Sequence, residues 1–148
     1  MAKPSTILFP TDFSTPAANA LVRVVDFARR LGARLVLLHV IPQSAYPLQG
    51  LASSAGMPNL RAELKRVVDQ DLAALRAKVP ADVACDQQVR EGIPHEQVIA
   101  CAQEIGAELI AIATQGHTGL KHMLLGSTAE RVVRLSPIPV LTFRAALA

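Results

Sequence analysis

Short apolar runs recur along the chain and predict strands that are buried inside a sheet. Most of them lack the regular polar alternation of a strand with one wet face, and this is typical of parallel strands covered on both sides. The run at Val83–Val89 alternates weakly and predicts a more exposed strand. The predicted strands are Thr6–Pro10, Leu35–Val40, Val83–Val89, Leu109–Ala113 and Pro139–Phe143.

Between these runs, apolar residues recur every three or four positions and predict amphipathic helices. Ser14 can cap the first helix, which ends at Gly32, and Pro80 stops the second. The third opens at Pro94, and the last covers Ala129 to Leu135. Strands that alternate with helices predict a sheet of five parallel strands with helices on both faces. Because the crossover connections are right-handed, the predicted fold is a doubly wound α/β fold.

A surface loop is predicted at about residues 42–57, where proline, glycine and serine accumulate. The rest of the chain shows no composition shift, so we expect a single domain over residues 1–148. With 51% apolar residues in 148, such a domain can bury a continuous core without disulfides. Cys85 and Cys101 are therefore interpreted as small buried hydrophobic residues in a reducing cytoplasm.

Composition and charge argue against two classes of partner. Charged residues interrupt every apolar stretch before it reaches the roughly 20 residues that span a bilayer, so no membrane is expected. The N-terminus lacks the pattern of a secretory signal, and we expect a cytoplasmic protein. The net charge is +3, but the basic residues are scattered and only 3% of residues are aromatic. Nucleic acid is not expected to bind.

The candidate chemistry lies after the first and fourth strands, because open parallel sheets bind ligands at the carboxyl ends of their strands. Pro10-Thr11-Asp12 follows the first strand, and a 13-residue connection from Thr114 to Gly126 follows the fourth. Its glycines, Gly116, Gly119 and Gly126, can gather backbone N–H groups into an anion nest. Ser127 and Thr128 add hydroxyl groups where the next helix begins, so the pattern suits a phosphate.

A purely structural interpretation of the same residues stays open. The glycines would then serve a surface turn, Ser127 would cap a helix, and Asp12 would form an Asx turn or interact with the dipole of the first helix. The four histidines, His39, His95, His117 and His122, lack metal-ligand spacing. His39 is interpreted as a strand-end residue hydrogen-bonded beneath a loop, whereas His117 and Lys121 could supply positive charge to the glycine-rich loop. We assign no catalytic residue and no protein metal ligand.

From Thr6 to about Arg144 the chain resembles the universal stress protein family, specifically its ATP-binding branch. The resemblance rests on ILFPTDFS, LLHVI, EGIPHEQVI and TQGHTGLKHMLLGST, in that order. It implies a Rossmann-like fold of the adenine nucleotide alpha hydrolase type. It also implies a stress-response function and a homodimer that pairs through the last strand.

The family's nucleotide signature is glycine, two residues, glycine, nine residues, glycine, then serine or threonine. Gly116, Gly126 and Ser127 match it, while Ala113 replaces the first glycine. The resemblance implies that ATP binds with Mg²⁺ held mainly by phosphate oxygens. It places Pro10, Thr11, Asp12 and Val40 at the adenosine, Ala113 and Gly116 at the ribose and first phosphates, and Gly126, Ser127 and Thr128 at the distal phosphates.

Three functions follow from these observations. The first is a regulatory module that binds ATP and changes a loop or partner surface. The second is a slow ATPase in which Asp12 or His117 positions water. The third is a nucleotide-free dimeric scaffold, in which Ala113 marks a lost pocket. All three predict a homodimer, because the apolar last strand would otherwise be an uncovered sheet edge.

Overall fold

The computed structural model describes residues 5–45, 57–115 and 125–144. Within these ranges, strands and helices alternate along the chain as the apolar pattern predicts. The strands are β1 (Thr6–Pro10), β2 (Arg34–Pro42), β3 (Cys85–Gly92), β4 (Leu109–Ala113) and β5 (Val140–Phe143). The helices are α1 (Thr15–Leu31), a short 3-10 helix (Gln43–Ala45), α2 (Met57–Ala77), α3 (Pro94–Glu104) and α4 (Ser127–Leu135).

The five strands form one parallel sheet in the order β3-β2-β1-β4-β5. The chain builds outward from β1 to β3, then crosses back and builds outward in the other direction from β4 to β5. The strand order therefore reverses between β1 and β4, which makes the carboxyl ends of these two strands the topological switch point. This arrangement confirms the predicted doubly wound fold.

Two apolar layers cover the two faces of the sheet. Odd-numbered β1 residues such as Ile7 pack with α1 and α2, where Val24 and Leu72 are fully buried. Even-numbered residues such as Leu8 pack with α3 and α4, where Val98 and Val132 are buried. Since both faces are covered, both sets of alternating positions must be apolar, and the central strands therefore appear as continuous apolar runs in the sequence.

The predicted end signals of α1 are confirmed in detail. The Ser14 hydroxyl accepts a hydrogen bond from the Ala17 N–H at 3.2 Å and caps the first turn. At the other end, Gly32 has φ 65°, a left-handed conformation that favours glycine, and its N–H bonds back to the last turn. The resulting sharp stop leads the chain directly into β2.

The predicted loop at about residues 42–57 lies between the end of β2 at Pro42 and the start of α2 at Met57. β2 continues to Pro42 because its ladder with β3 extends to the Pro42↔Gly92 pair, and residues 43–45 form the 3-10 helix. α2 begins already at Met57, since a proline such as Pro58 is tolerated in a first helical turn. Residues 46–56 of the predicted loop lie outside the described residues.

The third strand is also displaced from its prediction, lying at Cys85–Gly92 rather than Val83–Val89. It borders β2 alone in the described sheet, so one of its edges faces away from the ladder. The prediction left out Arg90, Glu91 and Gly92, since an edge strand tolerates charged residues that break the apolar pattern. Among the described helices, none has the length and apolar character needed to cross a membrane.

Candidate functional site

A cavity of about 490 Å³ opens at the switch point, between the carboxyl ends of the central strands and the starts of α3 and α4. This volume lies within the range of small-molecule sites. The structure brings eight of the nine predicted binding residues to its wall, and Gly116 lies outside the described residues. The eight are Pro10, Thr11, Asp12, Val40, Ala113, Gly126, Ser127 and Thr128.

The corner after β1 is held by hydrogen bonds from its own side chains. The Phe13 N–H donates to Thr11 Oγ1 at 3.1 Å, and the Ser14 N–H donates to Asp12 Oδ1 at 3.0 Å. The second bond is the Asx turn that the structural interpretation of Asp12 predicted. Asp12 also lines the cavity, so the turn presents the carboxylate at the site.

Phe13 and His39 brace this corner from two sides. Phe13 has φ 62°, which is uncommon for a residue other than glycine, and its ring stacks on the His39 imidazole with centroids 4.6 Å apart. His39 Nδ1 lies 2.7 Å from the Thr11 carbonyl oxygen. Because a carbonyl oxygen only accepts, Nδ1 carries the proton and donates it. The predicted hydrogen bond of His39 is confirmed, but β2 continues to Pro42, so His39 lies within the strand and not at its end. His39 also lines the cavity.

The amino end of α4 forms the opposite wall of the cavity. Gly126 is the N-cap residue and provides no side-chain cap, while its own N–H donates to the Thr114 carbonyl at 2.5 Å. Ser127 and Thr128 follow in the first turn, so the interpretation of Ser127 as the capping residue is wrong. The N–H groups of a first turn have no acceptor within the helix, and they carry its positive dipole end. This end of α4 is suited to an anion.

A second helix start borders the same cavity. The N-cap of α3 is Ile93, which has no side-chain oxygen to offer, and Pro94 and Val98 of α3 line the cavity wall. The site therefore lies near two helix N-termini without side-chain caps, and both favour negative charge. The sequence prediction placed Pro94 at a helix start but did not connect it with the site.

Ala113, which replaces the first glycine of the motif, leaves the cavity open. It is the last residue of β4, pairs with Phe143 of β5, and packs its methyl group against the core layer on the α1 side. Its backbone is extended, so no left-handed conformation demands glycine here. An alanine therefore fits the wall without closing the space beside it.

Sequence reasoning missed several residues of the wall, among them His39, Thr114 and Gln115. Their signal is position alone, since Thr114 and Gln115 directly follow β4 and His39 lies in the carboxyl-terminal half of β2. The two cationic candidates, His117 and Lys121, lie outside the described residues. Within the described ranges, no group of three or more histidine, cysteine, aspartate or glutamate side chains could hold a metal ion.

The strand order and the cavity at its switch point define a Rossmann-like α/β protein with an uncapped helix terminus at its candidate site. Residues 4–144 match the model of the Universal stress protein family. The chain is 30% identical over 151 residues to universal stress protein MJ0577 of Methanocaldococcus jannaschii, with 93% of each protein covered. The chain belongs to the universal stress protein family, and the resemblance drawn from its motifs is confirmed.

Solved structures share the fold over the full chain. The structure of MJ0577 superimposes with a TM-score of 0.86 at 28% identity and covers 100% of both chains. A universal stress protein in complex with cAMP has a TM-score of 0.63 at 22% identity, covering 97% of this chain and 99% of its own. One from Archaeoglobus fulgidus in complex with dAMP has a TM-score of 0.62 at 16% identity, covering 96% and 98%. The family thus includes structural neighbours that bind nucleotides.

Proposed function

We propose that this chain is an ATP-binding universal stress protein, a single-domain cytoplasmic regulatory module that acts as a homodimer. The observation that carries the proposal is the cavity at the switch point. It joins the Thr11–Asp12 corner on one wall to the uncapped start of α4 on the other. The complexes of structural neighbours with cAMP and dAMP support an adenine nucleotide as the ligand.

The two walls suit the two ends of a nucleotide. The strand ends offer a largely apolar surface for the base, and the N–H groups of α4 offer donors for phosphate oxygens. The adenosine would lie against Pro10, Thr11, Asp12 and Val40, the ribose and first phosphates against Ala113 and Gly116, and the distal phosphates against Gly126, Ser127 and Thr128.

The donor set is compatible with Mg²⁺ that enters with the nucleotide. Asp12 is the carboxylate among the described wall residues, and one of its oxygens accepts the Ser14 N–H. Mg²⁺ is commonly bound through one or two carboxylates, substrate phosphates and water. We therefore propose that phosphate oxygens are its main ligands.

Binding rather than rapid turnover fits the described wall. Phosphoryl transfer depends on charge clamps and an oriented nucleophile. The titratable side chains of the described wall are Asp12 and His39, and each contributes a hydrogen bond to the corner after β1. We assign them to positioning the corner, so ATP would act mainly as a bound signal. Slow hydrolysis stays a second candidate.

The homodimer is proposed from the unequal edges of the sheet. β5 borders only β4 in the described sheet, and its Val140 and Leu141 are half-buried in the single chain. An apolar edge strand invites pairing with another strand. The opposite edge, β3, is rich in charged side chains and is poorly suited to that contact.

Gly126→Val tests the nucleotide site directly. Gly126 has φ −65° and ψ 161°, an extended conformation that valine adopts freely, so the new side chain should crowd the phosphate wall without straining the backbone. We expect isothermal titration calorimetry with MgATP to show binding to the native chain and none to the variant. Urea unfolding without nucleotide should show a loss of only about 1 kcal/mol or less, from the poorer N-cap.

Gly126→Ala is the graded control, because its methyl group occupies less of the same space. It should bind MgATP with intermediate affinity. Unchanged affinity in the valine variant would contradict the placement of phosphate at α4.

A further inference from the structure

Thr114 carries a buried hydroxyl group that the described structure does not satisfy. The residue is 4% exposed, and none of the described residues hydrogen-bonds to its side chain. Two other buried hydroxyls near the site have clear partners: Thr11 accepts the Phe13 N–H and Ser14 accepts the Ala17 N–H. A buried hydroxyl without a partner is costly, so its presence in a cavity wall needs an explanation.

The backbone of Thr114 holds this residue beside the start of α4. Its N–H donates to the Phe143 carbonyl at 2.9 Å, and its carbonyl accepts the Gly126 N–H at 2.5 Å. The N–H of Thr114 therefore continues the pairing of β4 with β5, and its carbonyl holds Gly126, the N-cap residue of α4. Thr114 also lines the cavity.

The alternation of β4 gives the face to which the side chain belongs. Ile110 and Ile112 pack in the layer formed with α3 and α4, and side chains two residues apart along a strand share a face. Thr114 is next in that series. Ile112 and Ala129, two residues of this layer, also line the cavity. The hydroxyl thus belongs to the face of the sheet from which α4 begins.

We propose that the Thr114 hydroxyl donates a hydrogen bond to a phosphate oxygen of the bound nucleotide. A hydroxyl both donates and accepts, but the neighbouring helix terminus selects for a negatively charged ligand, which accepts. Phosphate would supply the partner that the described structure lacks. This inference rests on the proposed nucleotide site and adds to it a side chain from the two variable positions between Ala113 and Gly116.

Three variants test the proposal. Thr114→Val removes the hydroxyl and keeps the shape, and Thr114→Ser keeps the hydroxyl. Thr6→Val makes the same change at another buried threonine, which is 7% exposed at the start of β1 and is absent from the cavity wall. Each variant is titrated calorimetrically with MgATP and with adenosine, and its urea unfolding is measured without nucleotide.

A hydrogen bond to a charged group predicts that Thr114→Val binds MgATP about tenfold or more weakly, with adenosine affinity within about twofold of the native value. Thr114→Ser should retain most of the MgATP affinity, and Thr6→Val should retain all of it. Without nucleotide, Thr114→Val should be at least as stable as the native chain, since it removes an unsatisfied group.

Three results would overturn the proposal. Native MgATP affinity in Thr114→Val would show that the hydroxyl does not touch phosphate. Equal losses for MgATP and adenosine, together with a less stable protein, would assign Thr114 a structural role. A native chain that binds neither ligand would defeat the proposed function itself, and this inference with it, whereas the first two results leave the proposed function standing.

Discussion

Phe13 shows how single residues determine the shape of the site. A residue other than glycine at φ 62° costs of order 1–3 kcal/mol, and it persists only where its surroundings enforce it. Here the Thr11 hydroxyl, the Asp12 carboxylate and the His39 ring all hold the corner. Strain of this kind clusters at binding sites, and in this chain the strained residue directly follows Thr11 and Asp12 of the cavity wall.

His39→Leu removes the donor to the Thr11 carbonyl while keeping an apolar side chain of similar reach. We expect the free energy of unfolding to fall by about 1–3 kcal/mol, because a part-buried carbonyl loses its partner. MgATP affinity should fall as well, since the corner is no longer fixed. Urea denaturation and calorimetry measure the two effects.

His39→Asn is the control, because its amide can donate from nearly the position of Nδ1. It should recover part of both losses. A leucine variant with native stability and native affinity would show that the hydrogen bond does not hold the corner.

Sequence alone could identify much of the candidate site, since residues at the carboxyl ends of parallel strands meet at one edge whatever their detailed packing. His39 and Thr114 were not assigned to it, because their importance depends on three-dimensional contacts. The His39 ring stacks on the ring of Phe13, and the Thr114 hydroxyl has no hydrogen-bond partner among the described residues. A histidine within an apolar strand or a threonine after one gives no such sign by itself.

At the scale of whole elements, the helices whose first turns line the cavity differ in their N-caps. α1, which contributes Ala17 to the wall, begins with a Ser14 side-chain cap, whereas α3 and α4 begin without a side-chain cap. A side-chain oxygen at those N-caps would compete with an anionic ligand for the same N–H groups. The lack of side-chain oxygens at the N-caps of α3 and α4 is consistent with a ligand that supplies the acceptors for these N–H groups.

The two edge strands of the described sheet also differ in chemistry. β3 carries charges that are engaged in ion pairs, including Arg34–Asp86 at 2.7 Å, Arg61–Glu91 at 2.7 Å and the Arg90–Glu104 pair. Charged side chains discourage further strands from adding to an edge. β5 has the sequence VLTF and carries no charge, so it is the edge at which we expect a second copy.

Thr142→Pro tests that edge. The carbonyls of Pro139 and Phe143 accept bonds from the β4 side, so in a parallel ladder the alternate N–H of Thr142 points away from β4. Proline at this exposed position removes an outward donor and leaves the β4 ladder intact. Light scattering at micromolar concentration should report a dimer for the native chain and a monomer for the variant.

Thr142→Val keeps the outward N–H and should remain dimeric. Circular dichroism should show the same helix and strand content in all three proteins. A proline variant that still has the mass of a dimer would place the interface elsewhere.

At the scale of the whole molecule, the fold was predictable because every central strand must be apolar on both faces. The boundaries of the strands were less predictable than the fold. The end of β2 depends on its pairing with β3, and β3 is polar because its outer edge is uncovered. The ends of these strands are determined by pairing with a neighbouring strand. The apolar periodicity of a single segment carries no information about that pairing.

Each core layer contacts one thiol, and this links stability to pH. Cys101 is buried as predicted, but the prediction is wrong for Cys85, which is only half-buried against its layer. Burial raises the pKa of Cys85 from 9.0 to about 11, and the nearby Asp86 charge adds to the effect while Arg76 opposes it. Burial also raises the pKa of Cys101. Because the folded state holds these protons more tightly than the unfolded state, their stabilisation is complete below about pH 9 and is lost as the pH rises towards 11.

Urea denaturation at pH 8 and pH 10.5 should therefore show a lower free energy of unfolding at the higher pH. Cys85→Ala removes one of the two groups, so its loss between these pH values should be smaller than that of the native chain. Equal losses in both proteins would show that the Cys85 thiol is not shielded from water in the folded state.

The central claim is that an adenine nucleotide occupies the cavity between the corner after β1 and the start of α4. A crystal structure of the full chain grown with MgATP measures this most directly. We predict electron density for adenosine against Thr11, Asp12 and Val40, with phosphates at Ser127 and Thr128. A cavity filled by the protein's own side chains in crystals grown at saturating MgATP would contradict the account.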